Sequence, residues 1–157
     1  NFRLMPSRKR HVSAIVTRQR RPLSTAEGKG RYFDLRVLFN RVNARYFGNS
    51  LKRYRIVWGR RRRRRPFSCV IFASIQEEDR LIRVHPLLDA PFVPRWFLEY
   101  VLYHEMLHAK VPDETLPSGR RRVHTARFRE LEQRYPLYTR ARRWEAANLC
   151  RFLRTRR

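Results

Sequence analysis

Two histidines four residues apart, with a glutamate directly after the first, lie in the stretch YVLYHEMLHAKV at positions 100–111. On a helix, residues i and i+4 sit one turn apart on the same face. His104 and His108 can therefore both direct a ring nitrogen at one metal ion. Glu105 is turned about 100° away, clear of the ion but within reach of a water beside it. This is the mechanical content of an HExxH pattern. Zinc lowers the pKa of water towards ~7, and the carboxylate takes its proton as the oxygen attacks a carbonyl. The competing reading is a core helix that happens to carry two histidines. Against it, two imidazoles and a carboxylate in a core need partners, because unpaired polar groups there are costly.

A catalytic zinc keeps three protein ligands and one open position. His124 is the candidate for the third. In VHTARFRELEQRY, His124, Phe128, Leu131 and Tyr135 fall at i, i+4, i+7 and i+11, which predicts an inward stripe on a helix beginning near Val123. His85 follows a strand pattern and precedes Pro86, so it reads as a turn residue, and His11 reads as solvated. Glu145 and Asn148 lie near one stripe with Ala141, Trp144 and Phe152. Either suits the task of holding the free nitrogen of a ligand imidazole. The alternative for Glu145 is a surface pair with Arg142 or Arg143. Tyr103, Tyr135 and Arg127 are candidates for stabilising an oxyanion, and spacing does not choose among them. Met106, inside the motif, reads as packing.

The elements that must position these side chains follow from pattern and punctuation. Residues 1–30 form a basic arm with eight Lys/Arg and one acid, Glu27. Residues 31–153 carry the domain, and residues 154–157 a basic tail. Leu35, Leu38, Phe39, Val42 and Tyr46 recur at helical spacing, and Gly48 stands where a helix would stop. RYRIVWG is a short strand. FSCVIFASIQ and RLIRVHP are β-branched-rich runs joined by the acidic turn EED, which predicts a hairpin. RLIRVHP precedes the histidine helix and is either an edge strand on which an extended peptide pairs or an ordinary internal strand. Pro94 suits the first position of a helix, and residues 95–110 are apolar on nearly every face, so that helix is buried. Further helices are expected over about 123–134 and 138–153.

Composition constrains the partners. The 157 residues suffice for one domain with a core. There are 38 Lys+Arg against 13 Asp+Glu, a formal net charge of +25. Such an excess repels itself unless anions neutralise it, which points to DNA or RNA. A membrane surface has less support, because no long basic amphipathic helix stands out. Arg60, Arg61, Arg62, Arg63, Arg64 and Arg65 form an unbroken run. With the arm and with Arg151, Arg154, Arg156 and Arg157 they read as phosphate contacts, which position a protein without reading base sequence. Trp58 and Phe67 flank the run and either stack on unpaired bases or pack in the core. The segment from Glu99 to Glu114 has the opposite balance, with Glu99, Glu105, Asp113 and Glu114 and only Lys110 opposing them. Cys69 and Cys150 make no CxxC pair, which fits a reducing compartment. No apolar run approaches the ~20 residues that span a bilayer, and no signal peptide is visible. The expected location is cytoplasmic or nucleoid-associated, nuclear in a eukaryote, and not secreted.

The stretches FNRVNARYFGNSL, IRVHPLLDAPFVPRWFLEYVLYHEMLHA, RRVHTARFRELEQRYP and RARRWEAANL together resemble the SprT-like (Spartan-like) zinc metalloprotease family, over about Leu35 to Leu149. The resemblance implies a compact α+β, zincin-like domain in which a small sheet packs on helices that include the HExxH helix. It implies one zinc per chain held by His104, His108 and His124, with Glu105 as general base. Family members with known roles degrade proteins crosslinked to DNA. Two departures stand out. Thr125 follows the third histidine where many relatives have glycine, and the paired cysteines of a C-terminal zinc ribbon are absent. Two readings result: a zinc endopeptidase working near nucleic acid, and a nucleic-acid-binding or ribonucleoprotein structural protein that uses the protease fold as a scaffold.

Overall fold

A computed structural model describes residues 28–60 and 70–154; the arm to residue 27, residues 61–69 and the last three residues lie outside it. The architecture is mixed α+β. Helix α1 runs Leu35–Phe47. Asp34 caps it, its carboxylate accepting the Arg36 and Val37 backbone N–H groups, and Gly48 ends it in the left-handed conformation at φ 54°. Strands β1 (Arg55–Trp58), β2 (Ala73–Gln76) and β3 (Leu81–Val84) make one sheet, and a single 3-10 turn follows at Pro86–Leu88. Helix α2 (Arg95–His108) starts directly after Pro94, which is its N-cap rather than its first residue. A two-residue pair of strands, β4 (Glu114–Thr115) and β5 (Arg121–Arg122), leads to helices α3 (Ala126–Gln133) and α4 (Tyr138–Arg154).

The sheet order is β1-β3-β2, with β1 parallel and β2 antiparallel to β3. The predicted hairpin is present, but RLIRVHP is the central strand and not the edge. Burial explains the placement. In β3, Leu81, Ile82 and Val84 are buried and only Arg83 is exposed, whereas β2 alternates half-buried and exposed residues. The edges of the sheet therefore belong to β1 and β2. His85 caps the 3-10 turn, its Nδ1 accepting the Leu87 N–H at 3.1 Å, so it is a turn residue as expected.

Helix α2 is the hub: it packs on α1, β2, α3 and α4. Phe97, Leu98, Leu102 and Met106 are fully buried along it. Each such side chain contributes roughly 1.5–3 kcal/mol by leaving water, so the helix that carries the histidines is held by the core itself. Tyr46, Tyr103 and Tyr135 meet at ring distances of 4.9–5.3 Å and join α1, α2 and the end of α3. Residues 28–30 already pack on the domain. The Asp89 carboxylate accepts the backbone N–H groups of Arg31, Tyr32 and Phe33 at 2.6–3.1 Å. A Cβ on Gly30 would lie 2.6 Å from an Asp89 oxygen, so any other residue there would displace this carboxylate. Among the described residues no helix is long and apolar enough to cross a membrane.

Candidate metal centre

The three predicted histidines come together. His104 Nε2 lies 3.3 Å from His108 Nε2 and 3.2 Å from His124 Nε2. One ring nitrogen from each lies within 4.8 Å of the others, and these three are the metal-ligand cluster found among the described residues. A tetrahedral ion about 2.0–2.1 Å from each nitrogen sets neighbouring ligand nitrogens ~3.3 Å apart, so the donors fit such an ion. Lone pairs crowded at this spacing repel unless a proton or a cation stands between them. Burial first, and then the neighbouring His104 and His124, lower the His108 pKa to about 4. Burial and His104 lower that of His124 as well. These imidazoles are accordingly neutral near pH 7, the form that binds metals. His108 Nδ1 is buried without a hydrogen-bond partner among the described residues.

His104 and His108 share a face of α2, as i,i+4 spacing dictates. His124 arrives differently from the expectation. It precedes α3 instead of lying within it, and it is exposed. The cause is Thr125, which is 1% exposed, has extended backbone (φ −70°, ψ 172°) and caps α3 by accepting the Phe128 N–H. A residue in that role stops the helix from continuing back to Val123. The inward stripe is otherwise present. Phe128 is fully buried, and its ring centroid lies 5.1, 4.4 and 4.8 Å from those of His104, His108 and His124, so it floors the site.

Glu105 is 7% exposed and lines a cleft of about 660 Å³ together with all three histidines. Burial raises its pKa to about 7, opposed by the charge of His104 and by a hydrogen bond from the Ile75 backbone. That bond comes from β2, which with the preceding Ile71 and Phe72 forms one wall of the cleft. Six of the chain's 13 acidic residues line this cleft: Glu77, Glu78, Asp79, Glu105, Asp113 and Glu145. Arg121, ion-paired with Asp113, and Arg142 join them.

The carboxylate that meets a histidine is one the sequence reading missed. Glu132 Oε1 lies 2.7 Å from His104 Nδ1 and accepts the Tyr100 hydroxyl at 2.7 Å. Burial pushes the Glu132 pKa up, but the hydrogen bonds from His104 and Tyr100 outweigh it and hold the carboxyl below its usual range. Of the two residues proposed for this task, Glu145 lines the cleft but pairs with Arg142 at 2.7 Å, and Asn148 donates to the Trp144 carbonyl at 2.9 Å. The signal for Glu132 was its position four residues after Phe128, on the buried side of α3.

The oxyanion candidates stand away from the cleft. Tyr103 donates to the Leu131 carbonyl, Tyr135 is buried among aromatic rings, and Arg127 pairs with Glu130. Met106 is core, and Trp58 packs against the core. Arg60 is exposed; Arg61, Arg62, Arg63, Arg64, Arg65 and Phe67 lie outside the described residues, as do Arg156 and Arg157. No known protein family, curated protein or solved structure matches the chain.

Proposed function

We propose that this chain is a zinc-dependent endopeptidase of SprT type that acts on proteins held at or near nucleic acid. The observation that carries the reading is the convergence of His104, His108 and His124 at zinc-ligand spacing with Glu105 on the same cleft. Three imidazoles suit zinc, and three protein ligands leave a position open. A zinc bound there supplies Lewis acidity, which brings the pKa of water towards ~7 and polarises a carbonyl.

The chain's own residues supply the rest. The buried carboxylate of Glu105 accepts a proton from water in the cleft and later returns it to the leaving amine, and the Ile75 backbone holds it in place. The outer edge of β2, and not the central β3, is the open strand beside the cleft on which an extended peptide can pair. The concentration of acids around the cleft repels phosphate from the reaction centre. Nucleic acid is left to the arginines of residues 60–65, the N-terminal arm and the C-terminal tail, in keeping with the net charge of +25.

The competing reading, a nucleic-acid-binding scaffold, accounts for the charge but gives no role to a buried Glu105 beside three imidazoles. The test is whether purified protein retains zinc and cuts an unfolded polypeptide, with loss on chelation and recovery on zinc return. Zinc-free protein that binds nucleic acid, and an absence of cleavage after zinc loading, would favour the scaffold.

A further inference from the structure

One face of α2 is tied to a single turn of α3. Tyr100, Tyr103 and His104, at i, i+3 and i+4, bond to Glu132, to the Leu131 carbonyl and again to Glu132. The same helix α3 delivers His124 at its N-terminal end, through the Thr125 cap, and Phe128 beneath the three rings. The two bonds to Glu132 end on one oxygen, Oε1. An ionised carboxylate only accepts hydrogen bonds. Where His104 Nδ1 donates to that carboxylate, the lone pair of a neutral His104 is confined to Nε2, the atom that lies 3.2–3.3 Å from the other two histidines.

The other two ligands lack such an arrangement. His108 Nδ1 is buried with no hydrogen-bond partner among the described residues, and His124 is exposed. The three imidazoles are therefore unequal, and His104 is the one whose tautomer and ring orientation the protein sets in advance. We infer that Glu132, itself anchored by the Tyr100 hydroxyl, is a positioning residue that fixes His104 as the pre-set ligand of the metal centre. This inference rests on the zinc reading above. Glu132 touches neither substrate nor the reacting water; it acts through His104. Outer partners of this kind typically change metal affinity by about 10–100-fold.

The experiment uses the full chain and two readouts that do not depend on activity. Nitrogen-15 NMR of the imidazoles reports which ring nitrogen of His104 carries the proton, with and without zinc. Competition against a chelator reports zinc affinity. Metal-free wild type should show His104 in the Nδ1–H form. Glu132→Ala should bind zinc about 10–100-fold more weakly. Glu132→Gln, nearly isosteric and so the safeguard should the alanine variant fail to fold, should fall between the two and leave the His104 tautomer mixed. A merely structural Glu132 would lower the melting temperature of these variants and leave both tautomer and affinity alone. That outcome, or an Nε2–H tautomer of His104 in metal-free wild type, overturns the inference while leaving the zinc reading intact. Failure of wild type to bind zinc at all overturns the zinc reading, and this inference with it.

Discussion

Thr125 Oγ1 accepts the Phe128 backbone N–H at 3.1 Å, one residue after the exposed third histidine. The bond both starts α3 and fixes the chain direction at His124. Directly after the third histidine this chain thus has a side chain that satisfies a helix N-terminus. Thr125→Ala should cost about 1 kcal/mol of stability, the usual value of a lost cap, and should weaken zinc binding because His124 loses its tether. Thr125→Ser keeps the hydroxyl and should restore both. Thermal melts and chelator competition on the three proteins check this; an alanine variant equal to wild type in both would remove Thr125 from the site.

Of the three histidines that could hold a metal, His124 is the one most readily removed without harm to the core, since it lies outside any helix and is exposed. After dialysis, wild type should hold about one zinc per chain in the three-histidine mode. His124→Ala should hold little while its melting curve without metal stays near that of wild type. Full zinc retention by the variant would mean that the third ligand is another group.

How much of this was legible in sequence depended on how local each cause is. The C-terminal end of α1 was readable because Gly48 sits just beyond the last apolar residue of the helix. The apolar sequence of α2 announced its burial, and i,i+4 spacing announced the shared face of His104 and His108. His85 was readable as a turn from Pro86 alone. Strand order was not readable, because β3 pairs with β1 in parallel across an intervening segment, Arg55 opposite Leu81, and such pairing is non-local. The helical period also misled at α3. It continued backwards through Thr125, which is a cap, and it selected Leu131, which is half-buried, over its neighbour Glu132, which is buried. A carboxylate on an inward face looks like a surface residue until the tyrosine and histidine that neutralise it are brought across from another helix.

Charge placement predicts how nucleic acid should act. The acids collect around the cleft, and the long arginine run lies elsewhere in sequence, between β1 and β2. Binding should be nearly indifferent to base sequence and fall steeply with salt, with a log–log slope of about −0.7 to −0.9 per phosphate neutralised. Changing residues 60–65 to serine should flatten that slope. Cleavage of a free unstructured peptide should persist, whereas cleavage of a protein fixed to DNA should drop, because local concentration is lost. Equal loss on both substrates would put the arginines in the active site or the fold instead.

The central claim is that peptide bonds are cut with Glu105 as general base beside a metal held by His104, His108 and His124. Glu105→Gln preserves size and the oxygen that can accept the Ile75 N–H, but its amide cannot take a proton from water. The decisive measurement is the rate at which new peptide N-termini appear, by mass spectrometry, when zinc-loaded wild type and zinc-loaded Glu105→Gln act on the same unfolded polypeptide. The account predicts cleavage by wild type and a fall of about 10²–10⁴-fold in the variant at equal zinc content. Equal rates, or no cleavage by zinc-loaded wild type with nucleic acid present, would contradict it.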